Sequence, residues 1–259
     1  MLNEIVTKKR REVAIQKRER PLSQFEKDII RGDFRFRKGI KEKPWALIAE
    51  CKLASPTKGE LCTAYTECEL AQIYTANGAT ALSVHTDKHF KGKLENIKMV
   101  KAVTPLPILR KDFIIDAYQI YESRWAGADA ILLIAAVLSD EEMNEYLEVA
   151  AMLGLDCLVE VHTLEELLRV QKTSAVLVGI NNRDLKTFTT DISNTFALMP
   201  YCSSKIVLIS ESGIKNQEDA KRLQEAGVKG ILVGEGLVCA HDIGMMTQEM
   251  ALCQGQRCS

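Results

Sequence analysis

Four short segments of the chain resemble one another, and each is a glycine followed by an apolar run. They cover residues 77–82, 126–131, 153–158 and 226–231. A glycine just past a helix adopts the left-handed conformation at little cost, and two or three residues suffice to turn the chain into the next strand. The repeat therefore predicts a chain that alternates helices with strands.

The apolar runs after these glycines are typical of parallel strands that are buried on both faces. We predict eight strands, at residues 45–50, 82–84, 107–109, 131–134, 158–161, 176–180, 206–209 and 231–233. Eight strand–helix units in about 250 residues is the size of a (β/α)8 TIM barrel, an α/β fold. The alternative, an open nucleotide-binding sheet, would require a glycine-rich turn after the first strand, and this chain has Cys51-Lys52-Leu53-Ala54 there.

Residues 1–44 precede the repeat and are predicted to be an N-terminal helical extension of the barrel, which spans residues 45–259 within the same domain. Residues 8–20 hold seven basic and two acidic side chains, a pattern typical of a solvated helix face. The alternative is a helix that lies over one barrel mouth, where Lys8, Lys9, Arg10 and Arg11 would attract an anion. We expect a chain without residues 1–40 to keep its barrel, because all eight strands lie downstream.

The composition excludes several classes of partner. With 34 basic and 35 acidic side chains the net charge is -1. We therefore expect the main partner to be a small molecule rather than nucleic acid or a membrane surface. The longest apolar run, residues 130–138, is too short to cross a bilayer. Neither the eight cysteines nor His85, His89, His162 and His241 have the spacing of metal ligands. We therefore expect a cytoplasmic protein with reduced thiols, without a metal, whose histidines have surface or packing roles.

Polar side chains stand at the carboxyl ends of the predicted strands, where enzymes of this fold carry their chemistry. Alternation puts Glu50 and Lys52 on one face of the first strand. Glu160 lies between two valines, where a carboxylate requires a cation or a functional cavity, and Lys52, Lys111 and Arg183 are the candidate cations. A single polar strand end would indicate little, since any strand that leaves a core meets water. After the seventh and eighth strands come Ser212-Gly213-Ile214 and Gly234-Glu235-Gly236, at the positions where barrels often bind phosphate.

Taken in order, these strand ends resemble the indole-3-glycerol-phosphate synthase family of tryptophan biosynthesis. The resemblance runs from Ile5 nearly to the C-terminus and rests on residues 48–59, 82–87, 109–113, 158–162, 179–185, 210–214 and 232–235. It implies a lyase that closes the ring of 1-(2-carboxyphenylamino)-1-deoxyribulose 5-phosphate and removes carbon dioxide and water, with no cofactor and no metal. Lys93 departs from the family pattern, which usually has serine after the glycine of this loop.

The resemblance also implies a role for each site residue. Lys111 matches the general acid that protonates the ribulose carbonyl oxygen, and Glu160 the base of the dehydration. Lys52 matches a cation beside the substrate carboxylate that also transfers protons, and Glu50 a carboxylate that holds the two lysines. Asn181 completes the catalytic set, and the other polar substrate contacts are Arg183, Glu211 and Ser212. The apolar anthranilate pocket comprises Pro56, Phe90, Phe113 and Leu132, and the phosphate site comprises Ser55, Gly213, Gly234 and Glu235.

Two other interpretations stay open at this point. A Schiff-base aldolase that acts on a phosphorylated ketose would use Lys111 as a nucleophile rather than as an acid. A barrel that has lost its activity would serve only as a binding partner, although the set Glu50, Lys52, Lys111, Glu160 and Asn181 is intact.

Overall fold

A computed structural model describes residues 2–55, 59–184, 187 and 189–253. The strands in this part of the chain are β1 (Ala46–Cys51), β2 (Ala54–Ser55), β3 (Gly59–Glu60), β4 (Ala81–His85), β5 (Ile108–Lys111), β6 (Ala130–Ile134), β7 (Asp156–Val161), β8 (Leu177–Asn181), β9 (Val207–Glu211) and β10 (Gly230–Val233). The α-helices are α1 (Leu2–Glu19), α2 (Arg35–Glu42), α3 (Glu67–Ala76), α4 (Glu95–Lys101), α5 (Ala117–Ala126), α6 (Asp140–Leu153), α7 (Leu164–Val170), α8 (Ser193–Leu198), α9 (Gln217–Glu225), α10 (Glu235–Val238) and α11 (Ile243–Met250).

Parallel pairing closes the sheet into a barrel. The order is β1, β4, β5, β6, β7, β8, β9, β10, and β10 pairs with β1 again. The short strands β2 and β3 form a separate antiparallel hairpin after β1. The predicted (β/α)8 TIM barrel is therefore confirmed, and each predicted strand overlaps a strand of the barrel.

The four glycines of the sequence repeat all adopt left-handed backbone conformations between a helix and a strand. Their φ angles are 95° at Gly78, 99° at Gly127, 69° at Gly154 and 99° at Gly227. A side chain at these positions would strain the backbone, so glycine permits the short connections of the barrel. The predicted helix-to-strand turns are confirmed.

The apolar side chains form two layers. Outward-facing strand residues such as Leu47, Leu82 and Val159 pack against the surrounding helices. Inward-facing residues such as Ile48, Leu109 and Leu158 fill the interior of the barrel. The barrel is thus a packed core with room for a ligand only at its ends.

Helix α2 covers the amino end of the barrel. Phe36 and Ile40 are fully buried, and they belong to the same cluster as Ala46, Ala81 and Ala130, the first residues of three strands. The expectation that a chain without residues 1–40 keeps its barrel stays a prediction, and the burial of these side chains argues against it, because the truncation would remove the residues that seal one end of the core. None of the helices in the described ranges has the length and apolar character needed to cross a bilayer.

Replacing Ile40 tests whether α2 is part of the barrel core. Ile40→Ala should lower the free energy of unfolding by about 2–5 kcal/mol, because it opens a cavity beneath the strands. Ile30→Ala is the matched control, since Ile30 is 77% exposed, and it should change stability by less than about 0.5 kcal/mol. Urea unfolding measures both. Equal losses in the two variants would contradict this role of α2.

Candidate active site

A cavity of about 400 Å³ opens at the carboxyl ends of the barrel strands. Every site residue predicted from the sequence that the structure describes lines it: Glu50, Lys52, Ser55, Phe90, Lys111, Phe113, Leu132, Glu160, Asn181, Arg183, Glu211, Ser212, Gly213, Gly234 and Glu235. Pro56, the remaining prediction, lies outside the described residues. The fold therefore brings side chains from distant parts of the sequence to one site.

The ammonium group of Lys111 lies between two carboxylates at the base of this cavity. Its Nζ atom is 3.0 Å from Oε2 of Glu160 and 2.8 Å from Oε2 of Glu211. Both carboxylate side chains are buried, and that of Lys111 is nearly so. Of the three cations considered for Glu160, Lys111 forms the ion pair.

Mutual electrostatics separate the proton affinities of these three groups. Burial acts to lower the pKa of Lys111, but Glu160 and Glu211 outweigh it and raise the pKa above its ordinary value. Burial and the repulsion of Glu160 raise the pKa of Glu211 to about 7, although the charge of Lys111 acts to lower it. Burial also acts to raise the pKa of Glu160, yet Lys111 and His162 lower it overall. At neutral pH the site therefore holds an ammonium, an ionised Glu160 and a partly protonated Glu211.

The same cavity holds a second acid–base pair, formed by Glu50 and Lys52. As alternation predicts, both side chains line the cavity, while Cys51 packs in the outer core. Nζ of Lys52 is 3.7 Å from Oε1 of Glu50, and the hydroxyl of Ser83 donates to Oε2 of Glu50 at 3.3 Å. Burial acts to raise the pKa of Glu50, but His85 and Lys52 hold it below the ordinary range.

Four of these groups come from every second strand of the barrel. Glu50 lies on β1, Lys111 on β5, Glu160 on β7 and Glu211 on β9. In this fold, side chains from alternate strands form one layer of the interior. The uppermost layer of this barrel is therefore charged rather than apolar.

Two glycines between these strands leave space for the acidic side chains. A Cβ atom at Gly179 on β8 would collide with Oε1 of Glu211. A Cβ atom at Gly234, directly after β10, would lie 2.5 Å from Oε1 of Glu50, which is closer than van der Waals contact allows. Small residues at these positions allow three carboxylates to share one layer.

The two loops proposed for phosphate also line the cavity. Ser212 and Gly213 follow β9 with φ angles of 65° and 76°, and Gly234 precedes α10. A left-handed conformation is uncommon for a residue with a side chain and costs about 1–3 kcal/mol, and such strain clusters at ligand sites. Gly213 permits the second left-handed residue in a row.

Two histidines lie close to carboxylates of the charged layer. His85 is buried and lines the cavity, with Nε2 3.1 Å from Oε1 of Glu50, so the prediction of a surface role is wrong for it, and the alternative of a packing role stays open. Nε2 of His162 lies 3.4 Å from Oε1 of Glu160. The signal for His85 was present in the alternation of β4, because Ser83 and His85 share its inward face. Among the described residues no three His, Cys, Asp or Glu side chains are arranged to hold a metal ion.

Helix α1 lies beside the cavity and is attached through a buried lysine. Leu2 and Ile5 line the cavity, and Lys9 is only 5% exposed. Nζ of Lys9 is 2.6 Å from Oδ2 of Asp87 and 2.8 Å from Oδ1 of Asp112. The predicted solvated face therefore holds for Lys8, Arg10 and Arg11, which are exposed, and is wrong for Lys9.

The partners of Lys9 connect α1 to the catalytic loops. Asp87 accepts a hydrogen bond from the backbone N–H of His89 and so caps the turn that carries Phe90. Asp112 follows Lys111 directly and is paired with Arg110 at 2.9 Å. Burial acts to raise the pKa of Asp112, but Arg110 and Lys9 lower it to about 2.

Comparisons with known proteins identify the family and the fold. The family model "Indole-3-glycerol phosphate synthase" matches residues 2–250. The relative of that description from Desulforamulus reducens is 49% identical over 224 residues, which cover 85% of this chain and 84% of the relative. The one from Albidiferax ferrireducens is 42% identical over 257 residues, covering 96% and 97%. A solved 3-hexulose-6-phosphate synthase from Salmonella typhimurium, 14% identical with a TM-score of 0.66 over 80% of this chain and 97% of that one, shares the fold.

Removing the charge of Lys9 should loosen the attachment of α1. Lys9→Met leaves two buried carboxylates with less compensation, so we expect the free energy of unfolding to fall by about 3 kcal/mol near neutral pH. Lys8→Met, a change at the exposed neighbour, should alter it by less than about 0.5 kcal/mol. Urea unfolding of both variants provides the measurement.

Lowering the pH should change the stability difference between Lys9→Met and the parent protein in a defined direction. The lowered pKa of Asp112 stabilises the fold above the ordinary carboxyl range, and this stabilisation is lost as the pH falls from about 4 through about 2. The gap between Lys9→Met and the parent protein should therefore shrink on acidification. A gap that stays constant to the lowest pH at which the protein is folded would contradict the ion-pair account.

Proposed function

The chain belongs to the indole-3-glycerol phosphate synthase family, and we propose that it acts as a carbon–carbon lyase of tryptophan biosynthesis in the cytoplasm. The substrate is 1-(2-carboxyphenylamino)-1-deoxyribulose 5-phosphate, and the product is indole-3-glycerol phosphate. One observation carries the residue assignment: the buried ammonium of Lys111 stands between Glu160 and Glu211 in a cavity that also holds Lys52. This arrangement provides both acids and bases at neutral pH without a cofactor.

Lys111 is the acid of the ring closure. The ring carbon that bears the carboxylate attacks the ribulose carbonyl carbon, and negative charge develops on the carbonyl oxygen. The ammonium stabilises that charge and donates a proton, which converts the oxygen to a hydroxyl. Glu211, whose pKa is raised to about 7, lies 2.8 Å from the ammonium and can return a proton to Lys111.

Carbon dioxide leaves next, and its departure restores the aromatic ring. Phe90, Phe113 and Leu132 line one side of the cavity and form the apolar pocket for that ring. An apolar surrounding favours a step in which a carboxylate becomes a neutral gas, since less charge then requires solvation. Lys52 orients the carboxylate until it leaves, and Glu50 holds Lys52 at 3.7 Å.

The dehydration requires an acid for the leaving hydroxyl and a base for the departing proton. Lys52 supplies the proton that converts the hydroxyl to water. Glu160 accepts the proton from the substrate, because its lowered pKa keeps it ionised at neutral pH. Two carboxylates in one layer thus have different roles, since Lys111 and burial separate their proton affinities.

Binding of the phosphate is assigned to the strained turn after β9 and to the loop after β10. Ser55, Gly213, Gly234 and Glu235 provide this end of the site, and α10 begins at Glu235. Asn181, Arg183 and Ser212 also line the cavity, and we assign them to the hydroxyl groups of the substrate. Asn181 also accepts a hydrogen bond from the backbone N–H of Arg183 at 3.0 Å.

Replacing Lys111 tests the assignment of the acid. Lys111→Met should lower kcat by about 10²- to 10⁴-fold and leave substrate binding largely intact, because the charge it stabilises is absent from the ground state. Lys221→Met is the matched control, since Lys221 is exposed on α9, and it should keep full activity. Appearance of the indole chromophore measures turnover. Near-native turnover in Lys111→Met would contradict this role.

The Schiff-base alternative predicts a different outcome with the same residue. A nucleophilic lysine must be neutral, which usually requires a lowered pKa, whereas the pKa of Lys111 is raised. Borohydride added to the protein with its substrate should therefore leave the mass of the protein unchanged. A trapped adduct that disappears in Lys111→Met would favour the aldolase.

A further inference from the structure

His85 connects two parts of the cavity that the proposed mechanism treats separately. Its Nε2 atom lies 3.1 Å from Oε1 of Glu50, and its side chain is 7% exposed. Its ring stacks on Phe90, with centroids 4.4 Å apart and planes inclined by 11°. The imidazole therefore contacts both the Glu50–Lys52 pair and the aromatic wall.

The stacking also involves Lys52. Its Nζ atom is 5.6 Å from the centroid of the Phe90 ring, so this cation faces Glu50 and the aromatic wall at once. With Ser83 bonded to the other oxygen of Glu50, the carboxylate is held from two sides. The position of Lys52 thus depends on a carboxylate that His85 helps to fix.

The charged groups around His85 come from three elements. Glu50 and Lys52 face it from β1 and the loop that follows, and Lys111 is its register partner on β5. Its own loop carries Asp87, which is neutralised by Lys9 of α1 and contacts His89. The charge of an imidazole ordinarily changes between pH 5 and 8. Glu211, the partner of Lys111, also titrates in this range, since its pKa is raised to about 7, but it is present in the parent protein and in each variant of His85.

We propose that His85 is a positioning residue of the site, which orients Glu50 and, when protonated, strengthens binding of the anionic substrate. Glu50 and Lys52 cancel each other's charge, so a proton on His85 makes this side of the cavity positive. The substrate carboxylate approaches the same side, beside Lys52. This inference rests on the proposed function, because it takes the position of that carboxylate from it.

The pH dependence of KM tests the charge on His85. KM of the parent protein should rise by about fivefold when the imidazole loses its proton. In His85→Gln the amide can donate to Glu50 but never becomes charged, so this part of the rise should be absent. The substrate phosphate titrates identically in both proteins and cancels in the comparison.

His241→Gln is the matched control, since His241 is exposed. It should reproduce the KM profile of the parent protein, and cooperative unfolding of each variant verifies its fold. A KM profile of His85→Gln that coincides with that of the parent protein would overturn the proposal, because a histidine with only a packing role leaves no titration in KM.

A second measurement needs no variant of His85. If protonation favours the substrate, the bound substrate must favour protonation to the same extent. The substrate with its ketone reduced to an alcohol cannot close its ring and keeps both anionic groups. Its binding should raise the midpoint of the His85 titration, followed by NMR, by about 0.7 pH unit. This shift is the base-ten logarithm of the fivefold change in affinity, as thermodynamic linkage requires. An unchanged or lowered midpoint would overturn the proposal.

The product separates the contributions of the two anionic groups. It keeps the phosphate and lacks the carboxylate, so it should shift the His85 midpoint less than the reduced substrate does. An equal shift would assign the effect to the phosphate and overturn the placement of the carboxylate. If the parent protein forms no indole product at all, the proposed function fails; if it does and His85→Gln behaves like it, only this inference fails.

Discussion

The ion pairs of Lys111 with Glu160 and Glu211 determine how the rest of the site can work. Removing three ionisable groups from water is costly, and their attraction offsets that cost only when the geometry is good. Distances of 3.0 and 2.8 Å satisfy this condition. Such a cluster is weak evidence for stability, and its more direct consequence is chemical. One ammonium between two carboxylates yields an acid, an ionised base and a carboxyl group near its midpoint of titration.

The barrel supplies this geometry through its layers. Alternate strands direct their side chains into the same layer, so Lys111, Glu160 and Glu211 meet although they lie on separate strands. Gly179 on the intervening strand β8 and Gly234 directly after β10 have no side chains, which leaves space for the carboxylates. A Gly179→Ala substitution would act on Glu211 rather than on the backbone. These two glycines of the barrel thus determine where the carboxylates of the site can lie.

The predictable parts of the structure depend on local sequence. A helix-to-strand turn is predictable because it requires glycine at one position. The faces of Glu50 and Lys52 are predictable because side chains alternate along a strand. Contacts between distant elements leave no such local pattern. Lys9 stands in a basic run that is otherwise exposed, and only the fold brings Asp87 and Asp112 to it. Phe36 and Ile40 lie in an equally basic stretch, so their burial under the barrel was missed.

His85 could be placed from the sequence but its role could not. Its alternation with Ser83 predicts an inward-facing side chain and does not reveal which group that side chain contacts. A histidine on an inward face is compatible with packing as well as chemistry, and the sequence alone does not show that its Nε2 atom lies 3.1 Å from Oε1 of Glu50. The roles assigned to Pro56 and the other pocket residues stay predictions in the same sense. Their presence at one cavity is a property of the fold, whereas their roles depend on how a substrate lies in it.

A crystal structure of the Lys111→Met protein with intact substrate would test the central claim most directly. We predict that the ribulose carbonyl oxygen points to the side chain of residue 111, between Glu160 and Glu211. The carboxylate should lie beside Lys52, and the phosphate should contact Gly213 and Gly234. A substrate bound in the opposite direction, with its phosphate in the charged layer, would contradict the account.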